Sequence, residues 1–216
     1  MWKLLTIPFL LLSPLVALAA GGSSFPNPAT DLDKPAVKTK QVAVFAGGCF
    51  WCTEAVFEGL AGVEKVVSGY SGGSAGDAEY RTVSEGRTEH AESIEITFDA
   101  SKITYGQLLK VFFSVAHDPT TLNRQGPDHG KQYRSAIFYA NDDQKRVAEA
   151  YVAQLNQAAV FKAPIVTQLV QLKKFYVAEG YHQDFVRNNP THGYVVVNAL
   201  PKLAKLKQYY PELVKK

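Results

Sequence analysis

The feature that most constrains the fold is a run of five consecutive apolar residues at positions 42–46, followed directly by Gly47 and Gly48. A short apolar run bounded by glycines is typical of a β-strand that is buried on both faces. The two glycines allow a sharp turn of the backbone. Residues 51–60 then have the pattern of a short helix that a following glycine would end. We therefore expect an internal strand with a helix starting at its carboxyl end.

The remaining patterns predict further elements in the order β-α-β, then β-α-β. Residues 93–98 alternate cleanly, with Ile94, Ile96 and Phe98 on one face. The other predicted strands are 63–70, 134–140 and 165–172, and the last of them is expected at a sheet edge. Three later helices are predicted: one capped by Thr104, one that starts at Asp142 and one over residues 201–208. This order indicates an α+β fold with a ferredoxin-like split βαβ core, additional helices and a loop-rich C-terminal segment.

The N-terminus predicts export. Lys3 precedes an apolar run over residues 4–18, and Ala17-Leu18-Ala19 supplies the small residues that a signal peptidase accepts. We expect a signal peptide over residues 1–19 and a periplasmic protein without stable membrane association. The alternative is a retained membrane anchor, although the run contains two prolines and is shorter than the roughly 20 residues of a bilayer span.

The composition of the whole chain is that of a globular protein. Of its 216 residues, 46% are hydrophobic and 20% are charged, which predicts a single domain with a sizeable core over residues 41–216. Residues 20–40 begin with glycine, serine and proline and are expected to form a flexible linker. The net charge of +3 gives no indication of a nucleic-acid partner, and we interpret the C-terminal lysines as a solvated helix face.

Cys49 and Cys52 are the only cysteines, and their spacing indicates redox chemistry. A structural disulfide gains most of its stabilisation by closing a long loop, and this pair encloses almost none. A structural zinc site needs about four ligands. The five histidines (90, 117, 129, 182 and 192) include no second close-spaced pair of ligands, so no metal is expected.

Cys49 is the expected nucleophile, because it lies where the buried strand ends and the helix begins. The free N–H groups and the positive dipole end of a helix N-terminus favour an anion, which predicts a lowered pKa for Cys49. Cys52 follows one turn later, at a Cβ separation of roughly 5–6 Å that a small adjustment can close to a disulfide. The alternative is a buried, inert Cys49 that only packs.

Two aromatic residues separate the cysteines. Phe50 and Trp51 are consecutive, so both cannot point into one core, and at least one should be exposed beside the thiol as an apolar wall. Core packing remains an alternative for Phe50.

Glu92 is a candidate proton donor. It has the same parity as Ile94, so it faces the buried side if the strand extends back to it, and burial would keep it protonated. The alternative is a solvated loop residue. Tyr80 and Tyr133 flank predicted strands, and their hydroxyl groups can donate to an oxygen atom, although either residue could instead serve only in packing.

Several motifs together resemble the A class of peptide methionine sulfoxide reductases. They occur in the order of that family over residues 42–195. They are Gly48-Cys49-Phe50-Trp51, His90-Ala91-Glu92, His117-Asp118-Pro119-Thr120, Asn123-Arg124-Gln125-Gly126, Asp128, Gly130, Gln132-Tyr133-Arg134-Ser135 and Tyr181-His182-Gln183. The first motif alone would be weak, whereas so many separate matches are specific.

The resemblance implies reduction of the S epimer of methionine sulfoxide, free or in proteins, and so the repair of oxidative damage. It implies that Cys49 attacks the sulfoxide sulfur and becomes a sulfenic acid. It implies no cofactor, but a thioredoxin-like reductant as a partner beside the oxidised proteins. The other implied roles are a methyl pocket at Phe50 and Trp51, a proton donor at Glu92, hydrogen bonds from Tyr80 and Tyr133, and site lining by Asp128 and, more weakly, His182.

The chain departs from the family in one respect. Many members carry recycling cysteines near the position of Tyr194, but here no cysteine follows Cys52. We therefore predict that Cys52 itself resolves the sulfenic acid, giving a Cys49–Cys52 disulfide that the thioredoxin-like reductant reopens.

Two other functions fit parts of the pattern. An exported thiol–disulfide oxidoreductase also carries C-x-x-C at the start of a helix, but the Phe-Trp pair and the order of elements favour the reductase. A non-enzymatic module that binds methionine-like side chains would not need a reactive Cys49.

Overall fold

A six-stranded sheet forms the centre of the computed structural model, which describes residues 25–216. Its strands are β1 (Lys40–Gly47), β2 (Val63–Ser71), β3 (Ala91–Asp99), β6 (Ser135–Tyr139), β7 (Gln168–Gln171) and β8 (Phe175–Val177), and a separate two-residue pair consists of β4 (Arg124–Gln125) and β5 (Asp128–His129). The strand order is β7-β6-β1-β3-β2-β8. The four central strands pair antiparallel, and this order confirms the ferredoxin-like core.

Strand β1 is buried on both faces, as predicted. Phe45 packs into the main core on the helical side, whereas Val44 and Ala46 pack against Phe138 on the opposite face. All four are at most 1% exposed. Full burial of a phenylalanine stabilises the fold by roughly 1.5–3 kcal/mol, so this strand anchors both layers.

Helices cover the sheet. Within the described residues they are α1 (Phe50–Glu58), α2 (Tyr80–Ser84), α3 (Tyr105–Val111), α4 (Asp142–Gln157), α5 (Phe185–Asn188) and α6 (Leu200–Tyr209). In this part of the chain no helix is both long and apolar enough to cross a membrane.

The cap of α3 is the predicted Thr104. Its hydroxyl accepts from the Gln107 backbone N–H at 3.1 Å, and the Gln107 side chain accepts from the Thr104 N–H at 2.9 Å. The regular helix ends at Val111 and continues as a π-helical turn over Phe112–Ala116. The Ser114 hydroxyl donates to the Lys110 carbonyl at 2.6 Å, a bond that competes with the helical pattern.

The prediction of a flexible linker over residues 20–40 is wrong for residues 25–39. The Asp31 carboxylate accepts from the Gly106 N–H at 2.8 Å and from the Thr104 hydroxyl at 2.5 Å, at the start of α3. The Tyr151 hydroxyl donates to the Pro26 carbonyl at 2.7 Å. These bonds hold the segment against the domain. Residues 20–24 and the predicted signal peptide over 1–19 lie outside the described residues.

The C-terminal segment is loop-rich, as predicted. After β8 it forms a short turn at Gly180–His182, helix α5, a π-helical turn over Val195–Ala199 and then α6. The Leu200 N–H donates to the Val195 carbonyl and so joins this turn to α6. This segment passes over α1 and therefore over the two cysteines.

Candidate active site

A sharp turn between β1 and α1 positions Cys49. Gly48 has a φ of +86°, and a Cβ there would lie 2.5 Å from the Cβ of Gln125, so only glycine fits. Cys49 occupies the N-cap position of α1, and its carbonyl accepts from the Cys52 N–H at 3.2 Å. Cys49 is partly buried, and Cys52 is only 2% exposed. The turn thus places both sulfurs at the start of one helix.

A hollow of about 360 Å³ opens beside the two cysteines. Asp128, Tyr194 and Lys202 are among its lining residues. Trp51, Glu92, Tyr80 and Tyr133 do not line it. Cys49 and Cys52 share this hollow, and the Trp51 ring lies 5.9 Å from the ring of Tyr194 in its lining.

Glu92 lies on β3 and is buried, as the strand parity predicts. It is 2% exposed, and its Oε2 accepts from the Phe50 backbone N–H at 3.0 Å at the start of α1. Burial raises the pKa of Glu92 from its ordinary value of 4.5 to about 8, and the Phe50 N–H opposes only part of that rise. At neutral pH the carboxyl group is therefore protonated and can donate a proton.

The prediction of a lowered pKa for Cys49 is wrong. Burial raises the pKa of the Cys49 thiol well above its usual range, and the hydrogen bond to Cys52 adds to the rise. The pKa of Cys52 is lowered instead, because its sulfur accepts that hydrogen bond. The partial charge at a helix N-terminus is small, and here desolvation outweighs it. In the resting site Cys49 is therefore protonated and donates a hydrogen bond to the Cys52 sulfur.

Phe50 and Trp51 point in different directions. Phe50 is buried against Tyr70 and His182, with ring centroids 5.8 and 5.0 Å away. Trp51 is partly exposed and stacks on Phe185 at 3.7 Å. Of the pair, Trp51 is the partly exposed residue, whereas Phe50 packs in the core.

His182 supports Trp51 and is itself almost fully buried. Its Nδ1 accepts a hydrogen bond from the Trp51 Nε1 at 3.1 Å, and it is 1% exposed. Burial lowers the pKa of His182, so the ring is neutral and can accept this bond. His182 therefore orients the indole from behind.

Tyr80 and Tyr133 both lie close to Glu92. Burial is the largest cause of the raised pKa of each phenol, and the negative charges of Glu92 and Cys49 raise that pKa further. Both hydroxyl groups therefore stay protonated and can donate to an oxygen atom. The Tyr80 ring also lies 4.3 Å from the His182 ring.

Asp128 and Tyr194 form the wall opposite the cysteines. The Tyr194 hydroxyl donates to the Asp128 Oδ2 at 2.5 Å and also affects the pKa values of both thiols. Asp128 was expected in the site, but Tyr194 and Lys202 were not. Tyr194 lies in helical conformation just before the turn Val195–Ala199. The resemblance implies recycling cysteines near this position, and that signal could have assigned Tyr194 to the site.

No metal cluster accompanies these groups. Within residues 25–216, no three histidine, cysteine or acidic side chains lie close enough together to hold an ion. His117 is buried, with its Nε2 2.6 Å from the Ser135 hydroxyl and its Nδ1 2.9 Å from the Phe112 carbonyl.

Comparisons with known proteins give one family. Its sequence profile, described as peptide methionine sulfoxide reductase, matches residues 41–213. The chain is 58% identical to peptide methionine sulfoxide reductase MsrA 2 of Mesorhizobium japonicum over 84% of this chain and 93% of that protein. Among solved structures, Mxr1 of Saccharomyces cerevisiae in reduced form aligns with a TM-score of 0.65 and 33% identity over 76% of this chain and 92% of its own. Methionine sulfoxide reductase A of Corynebacterium diphtheriae aligns with a TM-score of 0.62 and 29% identity over 81% and 89%.

Proposed function

Since the chain belongs to the peptide methionine sulfoxide reductase family, we propose that Cys49 is the sulfur with which it reduces methionine sulfoxide. The enzyme is a peptide-methionine (S)-S-oxide reductase that acts on oxidised proteins or free methionine sulfoxide with a thioredoxin-like reductant. The assignment of Cys49 as the reacting sulfur depends mainly on one observation. Its thiol has a protonated, buried carboxyl group on one side and a second thiol on the other.

In the first step the Cys49 sulfur bonds to the sulfoxide sulfur, and Glu92 gives its proton to the sulfoxide oxygen. The oxygen then passes to Cys49: the bond between the two sulfurs and the substrate S–O bond break, and a bond forms between the Cys49 sulfur and the hydroxyl oxygen. Methionine leaves, and Cys49 is left as a sulfenic acid. The proton that Cys49 released restores Glu92. The sulfoxide is thereby reduced by two electrons and Cys49 is oxidised by two, so no organic or metal cofactor is needed.

The groups around Glu92 hold the substrate for this step. The exposed edge of Trp51, fixed by His182 and Phe185, offers an apolar wall to the substrate methyl group. Tyr80 and Tyr133 donate hydrogen bonds to the oxygen, which carries most of the developing negative charge. Phe50 backs this wall, and Asp128 lines the approach to Cys49.

In the second step Cys52 resolves the sulfenic acid. Its sulfur attacks the Cys49 sulfur, a disulfide forms, and water leaves with the Cys52 proton. A thioredoxin-like reductant then opens the disulfide by thiol exchange. Cys52 is suited to this role because its pKa is lowered and its backbone already contacts Cys49.

Separated sulfoxide epimers test the assignment. We expect wild type to reduce only the S epimer, Cys49→Ser to be inactive, and Cys52→Ser to manage about one turnover until an external thiol is added. Mass spectrometry after one turnover should find a Cys49–Cys52 disulfide. A stable sulfenic acid on Cys49 beside a free Cys52 thiol would remove Cys52 from the mechanism. Efficient reduction of insulin disulfides with no sulfoxide reduction would favour the alternative, an exported thiol–disulfide oxidoreductase.

We also propose that the enzyme is exported to the periplasm, where it repairs oxidised proteins. The support is the Lys3 n-region, the apolar run over residues 4–18 and the small residues that end at Ala19. N-terminal sequencing of protein from the periplasmic fraction should begin at Ala20. A mature protein that still starts at Met1 would contradict cleavage.

A further inference from the structure

Helix α2 begins at Tyr80, and a side chain from a distant part of the chain caps its start. The Tyr80 backbone N–H donates to the Oε1 of Glu179 at 2.9 Å, across 99 residues of sequence. Glu79, at the N-cap position itself, makes no capping hydrogen bond with its side chain. A helix of five residues is not stable by itself, so the position of α2 depends on tertiary contacts of this kind.

The other carboxylate oxygen of Glu179 accepts from a tyrosine of the central sheet. The Tyr70 hydroxyl donates to the Glu179 Oε2 at 2.8 Å. Tyr70 lies on β2 and is 0% exposed, and its ring centroid lies 5.8 Å from that of Phe50. Glu179 is therefore fixed to the rigid part of the fold that also lies behind the cysteines.

Both hydrogen bonds favour the ionised form of Glu179. Partial burial raises the pKa of this carboxyl group, but the Tyr80 N–H and the Tyr70 hydroxyl outweigh burial, and the pKa is lowered. Hydrogen bonds to an ionised acceptor are stronger than those to a neutral one. At neutral pH the carboxylate therefore connects the sheet at Tyr70 to the helix at Tyr80.

Glu179 also begins the turn that carries His182. Its backbone carbonyl accepts from the His182 N–H at 3.0 Å, at the start of the turn Gly180–His182. The His182 ring in turn lies 4.3 Å from the Tyr80 ring. Tyr80 is thus held at its backbone by the carboxylate and at its ring by the adjoining turn.

We infer that Glu179 is a positioning residue of the reductase, whose carboxylate fixes α2 so that the Tyr80 hydroxyl is aimed at the sulfoxide oxygen. This inference rests on the proposed function, in which Tyr80 donates to that oxygen. The Glu179 carboxylate is already occupied by Tyr70 and Tyr80, so it acts through Tyr80 and not on the substrate. A donor that is misplaced by about 1 Å can cost about 10²-fold in rate, because it must meet the oxygen as charge develops.

A double-mutant cycle tests the inference. The single-turnover rate constant for acetylated methionine sulfoxide is measured at saturating substrate for wild type, Glu179→Ala, Tyr80→Phe and the double variant. Alanine removes the carboxylate but keeps the backbone carbonyl that accepts from the His182 N–H. Glu179→Gln is the conservative variant, because its amide oxygen can still accept from the Tyr80 N–H. The matched control is Glu79→Gln, which changes an exposed carboxylate beside the same helix.

We expect Glu179→Ala to slow the reaction by about tenfold when Tyr80 is present, but by less than about twofold in the Tyr80→Phe background. Glu179→Gln should stay within about threefold of wild type, and Glu79→Gln should react at the wild-type rate. If Glu179→Ala does not fold, as circular dichroism would show, the cycle is run with Glu179→Asp, whose shorter side chain cannot reach both donors.

Equal losses in the two backgrounds overturn the inference, because Glu179 would then support the fold in general and not Tyr80. A wild-type rate for Glu179→Ala or for Tyr80→Phe overturns it as well. A wild type that forms no methionine would refute the proposed function, and the inference with it.

Discussion

Replacing Glu92 with glutamine should stabilise the folded protein while removing most of its activity. The pKa of Glu92 is about 8 in the fold against an ordinary value of 4.5. A carboxyl group with a raised pKa favours the unfolded state as the pH rises above 4.5, because only the unfolded chain can then release the proton. The wild type loses this free energy progressively up to about pH 8, and the glutamine variant does not.

The size of the effect follows from the same values. Each pH unit above 4.5 costs the wild type about 1.4 kcal/mol until the folded pKa is reached. The gain for Glu92→Gln is therefore about 3 kcal/mol at pH 7 and below about 1 kcal/mol at pH 5. For a chain of this length, about 3 kcal/mol corresponds to a rise in Tm of about 6–12 °C. Glutamine keeps an oxygen that can accept from the Phe50 N–H but has no proton to give.

Urea unfolding of the reduced protein at pH 5 and pH 7 measures this gain, and single-turnover reduction of acetylated methionine sulfoxide measures the chemical step. We expect that step to slow by about 10²–10⁴-fold. The matched control is Glu54→Gln, because Glu54 is buried on α1 and its pKa is raised to about 7 by burial. Glu54→Gln should gain stability at pH 7 and keep its activity. A gain for Glu92→Gln that is equal at the two pH values would refute the reasoning.

Three further changes test other parts of the site. Cys52→Ala removes the acceptor of the Cys49 thiol hydrogen bond, so the pKa of Cys49 should fall. Iodoacetamide should then alkylate Cys49 faster at pH 8, and an unchanged rate would contradict the hydrogen bond between the two thiols. His182→Ala frees the Trp51 indole and should raise the KM for the sulfoxide by up to about tenfold with a smaller change in kcat, so a wild-type KM would argue against this positioning. Gly48→Ala introduces a Cβ 2.5 Å from Gln125 at a positive φ and should lower the free energy of unfolding in urea by more than about 2 kcal/mol. The control Gly76→Ala meets no atom within 4 Å and should leave that free energy unchanged. Equal stabilities of the two variants would refute the steric argument.

The strands of the sheet were predictable because the pattern of apolar residues within each strand indicates which of its faces are buried. Residues 42–46 are apolar throughout and are buried on both faces, and the alternation of Ile94, Ile96 and Phe98 fixes the side on which Glu92 lies. Thr104 and Gln107 form a cap from two residues that are close in sequence. Local patterns of this kind need no knowledge of the rest of the molecule.

The features that escaped prediction depend on distant parts of the chain. Asp31 bonds to the start of α3 across more than 70 residues, and nothing in its own neighbourhood indicates this. Tyr194 reaches the cysteines from the helical turn at Val195–Ala199, far along the chain. The direction of the Cys49 pKa depends on how completely other elements enclose the thiol, which the position of Cys49 at a helix start does not reveal.

Burial and the hydrogen bond to Cys52 raise the pKa of Cys49, and the same hydrogen bond lowers the pKa of Cys52. In the reduced enzyme Cys49 keeps its proton and donates a hydrogen bond to Cys52, which protects the partly buried thiol from unspecific oxidants because a thiol is far less reactive than a thiolate. Once Cys49 is a sulfenic acid, the sulfur that must attack is Cys52. After the hydrogen bond from the Cys49 thiol has gone, Lys202 and the Tyr194 hydroxyl oppose the rise that burial causes in the pKa of Cys52. A resolving cysteine on a distant loop would have to move to Cys49 before it could attack. Cys52 lies one helical turn from Cys49, so the same residue accepts the hydrogen bond of the resting state and is the nucleophile of the second step.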